Sequence, residues 1–396
     1  MNKYHYISKL CVLFFLVLFV IFSCNNENKG KNDAVFVSDK LKIDSANAEE
    51  FAHSFVQDIY HSDTMNARSK IQIKYESDST CVSDLLAIKE LCNNFDIFSV
   101  LHQAILVGGD LDFQFYQVQE QNNIIWLRLF TAPLEVNYYR VLLSVIDDSI
   151  VISDFTSFYS PNSCDAMMTE LVALVHEKRQ LSYKDMREGF RFIDSSINAF
   201  SSLNPSLADL YYSKIDIALR ETAIMKSAKY NVDFHSSAEV RINAILEKTY
   251  EIGKEGSTEW YWLRQYYLNL DLKSYGEARG AIDRLGNTIG ADPILTYLKG
   301  VTYFEEYNYS RALVLYNEAL IMEPKIPNIH FAKVVCLIEM KEFIQAAESL
   351  LVMEDYFDVR NTNWDKEFMA YPAFLISDEY FQWLERAGVI EDEKLL

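Results

Sequence analysis

The chain has 396 residues, 50% of them apolar, with 25 Tyr, 25 Phe, few Gly or Pro, and a formal net charge of −20. This composition excludes a disordered chain and leaves room for two or three folded, largely helical domains. The acidic balance argues against a nucleic-acid partner, because phosphate backbones are gripped by Lys/Arg patches.

The first 25 residues read as a targeting segment. MNKYHYISK carries Lys3 and Lys9, LCVLFFLVLFVIF follows as 13 unbroken apolar residues, and SCNNENKGKND comes next. A basic start, a short apolar run and a small residue at its exit describe a secretory signal. The run is shorter than the roughly 20 residues a bilayer span needs. Ile21-Phe22-Ser23-Cys24 resembles the end of a bacterial lipoprotein signal, with an aliphatic residue three before the cysteine and a small one just before it. Phe22 departs from the usual middle residue. The resemblance implies a signal peptide over residues 1–23, removed on processing, and Cys24 as the lipid attachment site carrying palmitate-type acyl chains. Three such chains at about 0.8 kcal/mol per buried CH₂ would hold the protein firmly on a membrane. An uncleaved signal anchor is the alternative. Residues 24–46 are polar and read as a flexible tether. With no acidic cluster in that tether, the implied location is a membrane-anchored lipoprotein facing the periplasm, the outer membrane ahead of the inner.

Residues 47–160 read as an α+β domain. Asn47-Ala-Glu-Glu50 has the pattern of a capping box, and Phe51, Phe55 and Ile59 at i, i+4, i+8 predict a helix ending near His61. DLLAIKELC after Ser83 predicts a second helix, and residues 98–107 a third that stops at Gly108-Gly109. The period then changes. DFQFYQVQ, IIWLRLF, NYYRVLLSVI and IVISDFTSF are β-branched and aromatic, with short polar breaks between them, which predicts an antiparallel meander. Tyr139, Val141, Leu143 and Val145 would share one face of the third strand. Helices followed by one antiparallel sheet resemble the nuclear transport factor 2-like (cystatin-like) architecture, on element order alone.

Residues 161–256 read as a helical connecting region of degenerate helix pairs without a fixed period. Residues 257–358 do have one. Gly300, Tyr303, Ala312, Tyr316 and Ala319 align at 34 residues with Val334, Leu337, Ala346, Leu350 and Met353, and backwards with Tyr266, Asn269, Ala278, Ile282 and Leu285. This resembles the tetratricopeptide repeat (TPR), a 34-residue helix–turn–helix unit. The resemblance implies an all-α, right-handed helical-repeat domain following the sheet domain. Its units stack because none can bury its apolar face alone. Gly300 and Ala312 would mark the crossing of the two helices of a unit, and Pro324 would end the second helix. Residues 359–396 read as a C-terminal helical cap, with Phe368, Phe374, Tyr380, Phe381 and Trp383 covering the last unit.

Catalytic chemistry is hard to find. His176-Glu177 lacks the second histidine of a zinc-protease string. GKEGST at 253–258 has its lysine before the second glycine, so it is not a phosphate loop, and Ser257 or Thr258 reads as a helix N-cap. Asp147-Asp148 read as turn residues. Cys81, Cys92, Cys164 and Cys336 read as buried, reduced thiols. The expectation is therefore a non-enzymatic protein with no cofactor and no metal. The repeat resemblance implies a concave groove lined by Trp260, Leu263, Tyr267, Tyr297, Val301, Phe304, Phe331 and Val335, with Asp271, Glu305 and Glu339 alongside. Such a groove would suit an apolar or aromatic segment of another envelope protein, with basic flanks. The leading functional expectation is thus a lipid-anchored scaffold for protein–protein interaction. Two alternatives stand beside it. One is a ligand-binding or enzymatic role in the sheet domain, with a pocket lined by Trp126, Tyr139 and His102. The other is carbohydrate capture at the cell surface, since starch-binding envelope lipoproteins also carry such repeats.

Overall fold

The computed structural model describes residues 42–71, 97–106, 110–119, 121–131, 135–157, 170–171, 174, 183–201, 205–234, 237–252, 259–354, 356 and 364–387. The signal, Cys24 and most of the tether lie outside the described residues, as does the helix expected at DLLAIKELC. The chain divides into two compact units, which part between Leu246 and Glu247.

In the first unit, α1 (Ser45–Tyr60) buries Ala48, Ala52, Phe55, Val56 and Ile59 along one stripe. Its capping box sits three residues earlier than the sequence pattern predicts. Asp44 is the N-cap, accepting from the Asn47 amide at 3.0 Å, and Asn47 Oδ1 accepts from the Asp44 amide at 2.8 Å. Asn47 is thus the N3 partner rather than the cap, because Asp44 already offers an extended backbone and a carboxylate. The short helix α2 (Thr64–Ser69) is tied back by Lys70, whose ammonium lies 2.5 Å from Asp58. Helix α3 (Ile97–Leu106) adds to the helical layer.

Four strands follow: β1 (Asp110–Gln119), β2 (Asn122–Thr131), β3 (Glu135–Ile146) and β4 (Ser149–Ser157). They form one antiparallel sheet in the order β1-β2-β3-β4, the meander that the short connections predict. Asp147 and Asp148 both have positive φ, the geometry of a two-residue hairpin turn. One sheet face carries Leu111, Ile125, Leu127, Leu129, Tyr139, Val141 and Leu143 against α1 and α3. The opposite face is buried too, at Ile124, Trp126, Arg128, Phe130 and Tyr138. Strand β2 is therefore enclosed on both sides.

Helices α4 (Tyr183–Ser201), α5 (Pro205–Ser213), α6 (Ile217–Arg220), α7 (Ala223–Phe234) and α8 (Ala238–Ile252) come next. Within the region expected to form helix pairs, the stretch SLADLYYSKIDIALRETAIMK is divided among three helices. Asp216 turns its carboxylate onto the Ala218 amide at 2.8 Å and starts α6 afresh. Helix α4 comes very close to α6: a Cβ on Gly189 would lie 2.2 Å from Leu219 Cδ2.

The second unit contains three helical hairpins. They are α9 (Glu259–Asp271) with α10 (Tyr275–Ile289), α11 (Pro293–Glu305) with α12 (Tyr309–Met322), and α13 (Pro327–Glu339) with α14 (Phe343–Glu354). Their turns are the same turn. Lys273, Tyr307 and Lys341 have φ of 58°, 62° and 63°. The amides of Ser274, Asn308 and Glu342 donate to Asn269, Tyr303 and Leu337 at 2.8, 2.9 and 2.9 Å. Ala278, Ala312 and Ala346 donate to Ser274, Asn308 and Glu342 at 3.0 Å each, and all three alanines are wholly buried. Within the middle hairpin, a Cβ on Gly300 would lie 2.5 Å from the Tyr316 ring, so the missing side chain is filled by that tyrosine more than by Ala312. Glu323 is extended at φ −145°, ψ 101°, the conformation that a following proline favours, and α12 ends before it.

Three short helices follow among the described residues: α15 (Trp364–Glu367), α16 (Pro372–Leu375) and α17 (Asp378–Arg386). Trp364, Phe368, Phe374, Tyr380 and Trp383 form their buried aromatic cluster. Phe368 stacks on Phe331 at 5.6 Å and Phe374 meets Phe343 at 5.6 Å, so the cluster covers the third hairpin. Phe381, expected in this layer, is 44% exposed instead.

Candidate functional site

The residues expected to line an open groove are mostly interior. Leu263, Tyr267, Tyr297, Val301, Phe304 and Val335 are buried, none more than 9% exposed. Phe331 is half-buried beneath Phe368, and the Trp260 side chain lies outside the described set. The physical reason is local. On the first helix of each hairpin, residues at i, i+4 and i+7 lie on one stripe. That stripe is taken up by the second helix and by the neighbouring hairpin. The Tyr297 ring lies 5.6 Å from Tyr316, and Phe304 lies 5.2 Å from Tyr309. The buried Tyr266 hydroxyl donates to the Leu298 carbonyl at 3.3 Å, tying α9 to α11. As a free apolar wall, the expected groove is corrected: these side chains build the stack.

What the same helices leave at their ends is a polar and aromatic rim. The first helices terminate in Asp271, Glu305 and Glu339, at matching positions of the three hairpins. The second helices begin at Tyr275, Tyr309 and Phe343. Glu305 is held in a partly buried place that pushes its carboxyl upward, opposed by Lys273. The Tyr309 hydroxyl lies 3.5 Å from Glu339 Oε2 and is pushed up to about 12, first by burial and then by that carboxylate. Burial likewise raises Tyr371 from the cap, which also feels Glu339 and Tyr309. Tyr307 stands 80% exposed at the tip of the middle turn. Asp271, Glu305 and Glu339 are legible in the sequence as a 34-residue ladder. Tyr307, Tyr309 and Tyr371 are not, because their place depends on the turn and on how the cap folds back.

Among the described residues, no group of His, Cys, Asp and Glu could hold a metal ion, and no helix is long and apolar enough to cross a membrane. Cys336 is a buried free thiol, its Sγ–H donating to the Tyr309 carbonyl at 3.2 Å, and burial pushes it up to about 12. Cys81, Cys92 and Cys164 lie outside the described residues, as do His176-Glu177 and GKEGST.

The pocket imagined in the sheet domain loses its geometry. Trp126 pairs with Arg140 and Leu127 with Tyr139, so Trp126 and Tyr139 project from opposite faces of the sheet. Phe115 stacks on Trp126 at 5.8 Å. His102 stacks on Phe98 at 5.3 Å, and its Nδ1 lies 3.1 Å from the Ile59 carbonyl oxygen.

No protein-family profile, no curated protein and no solved structure matches this chain.

Proposed function

We propose that this chain is a non-catalytic, lipid-anchored envelope protein whose three hairpins are tetratricopeptide repeats serving as a scaffold for another envelope protein. The supporting observation is the threefold recurrence of one turn. The same left-handed residue, the same backbone bonds and a wholly buried alanine return every 34 residues. Regular stacking of this kind builds an extended surface whose side chains vary while the frame stays constant. The anchor is Cys24, the outer membrane ahead of the inner, with the protein facing the periplasm.

Because the apolar stripe is consumed by stacking, the partner meets the rim. Asp271, Glu305 and Glu339 end their helices where the helix dipole is already negative, a placement that costs stability and favours a cation. An aromatic segment with basic flanks is the matching chemistry. The experiment is a pull-down from detergent-solubilised envelopes with the full chain, comparing wild type with Asp271→Lys/Glu305→Lys/Glu339→Lys. Lysine suits a helix C-terminus, and circular dichroism checks that the variant keeps its fold beside Lys273 and Tyr309. Loss of the captured protein is expected; the same catch from both chains would sink the reading.

A further inference from the structure

The two edges of the sheet are treated differently. Beside β4, the Lys70 carbonyl accepts from the Ile152 amide at 2.7 Å, and Ile71 bridges to Ile152. On the β1 side, the Tyr60 hydroxyl takes both the Leu111 amide, at 2.9 Å, and the Leu111 carbonyl, at 3.2 Å. Leu111 therefore turns its backbone groups away from β2. Alternation turns Phe113 outward as well. Pairing shifts between Phe113 and Phe115, and beyond that bulge Phe115, Gln117 and Gln119 face β2 while Tyr116 and Val118 face out. From Phe113 to Val118, nothing among the described residues pairs with this edge. It has neither lysine nor proline, the usual guards of an exposed strand.

We propose that this open edge of β1 pairs with the same edge of a second copy of the chain. The bulge restricts where an antiparallel two-fold axis can lie. An antiparallel two-fold axis between Gln114 and Phe115 sets Phe113 opposite Tyr116 of the other copy, and both turn their backbone groups outward. The same axis sets Asp112 opposite Gln117, and the ladder ends there because the Tyr60 hydroxyl already holds the outward groups of Leu111. Faces agree as well: Phe113 and Tyr116 lie on the helix-covered face, Asp112 and Gln117 on the other. No carboxylate meets a carboxylate, and Asp112 meets an amide that can donate to it. Slipping the pairing by one residue either way would no longer set outward residues opposite each other. An interface of this type uses one patch twice.

Sedimentation velocity of the full chain in detergent, over a concentration series, tests this. Wild type should show a monomer–dimer equilibrium. Gln117→Asp places like charges opposite each other twice per dimer and should weaken it at least tenfold, whereas Gln117→Lys should tighten it. Hydrogen exchange of the wild-type Phe113 and Tyr116 amides supplies a readout that needs no variant: they should be protected at high concentration and exchange rapidly on dilution. A chain that stays monomeric at every concentration overturns the proposal. So does a dimer indifferent to both substitutions. Protection that is independent of concentration would instead mean that a segment of the same chain lies on the edge, which also overturns it.

Discussion

Single residues set how closely the helices approach, and Gly300 is the sharpest case. A Cβ there would fall 2.5 and 2.8 Å from two ring carbons of Tyr316, a buried side chain with little freedom to retreat. Gly300→Ala should therefore cost about 1–3 kcal/mol by overpacking, and urea unfolding measures it. Adding Tyr316→Leu should recover part of that loss. Glu305 gives the pH counterpart. Burial raises its carboxyl above the ordinary 4.5, so the folded chain holds a proton that the unfolded chain releases. Its contribution is fully present below 4.5 and lost as pH rises through the raised folded value. Glu305→Gln should thus flatten the acid-side slope of stability and raise the melting temperature at neutral pH relative to wild type. A wild-type slope surviving the substitution would show that other groups carry it. The sequence displays Gly300 and Glu305 plainly, but it does not display Tyr316 leaning over one or the half-buried place of the other.

Among the elements, hairpins are joined by specific bonds as well as by apolar contact. Arg279 on α10 reaches the first helix of the next hairpin. It donates to Glu306 at 2.7 and 3.2 Å and to Thr302 at 3.2 Å, and lies 4.2 Å from the centre of the Tyr303 ring. Arg279→Ala should cost about 1–2 kcal/mol, because a bidentate, partly buried pair and a cation–π contact are lost together. Thermal unfolding compared with Glu306→Ala and the double variant would measure the coupling; additive losses would mean that the two residues act independently. The 34-residue spacing shows that hairpins repeat, yet nothing in it announces this link, since the matching place in the next hairpin is Leu313. The turns were hidden for a similar reason. Left-handed residues are ordinarily Gly or Asn, and here they are Lys273, Tyr307 and Lys341.

For the whole molecule, the testable statement concerns the proposed anchor. Cys24→Ala should abolish incorporation of a labelled fatty acid and leave residues 1–23 uncleaved, which a mass shift on intact-protein mass spectrometry reads. Fatty-acid incorporation equal in the variant and the wild type would refute the lipid attachment. Periodicity by itself determined the order of the elements: period two gave the four-strand meander, period 3.6 the helices, and period 34 the hairpins with Ala278, Ala312 and Ala346 in one environment. These follow from the chain's own geometry, which repeats wherever the pattern does. Only the tertiary structure decided which faces stayed open. It sent Trp126 and Tyr139 to opposite sides of the sheet and moved the first helix cap to Asp44. It also closed the stripe from Leu263 to Val335 inside the stack, leaving the carboxylates at the rim. Exposure depends on what packs against a residue from elsewhere in the chain, and an apolar stripe reads the same whether a neighbouring helix or a foreign partner covers it.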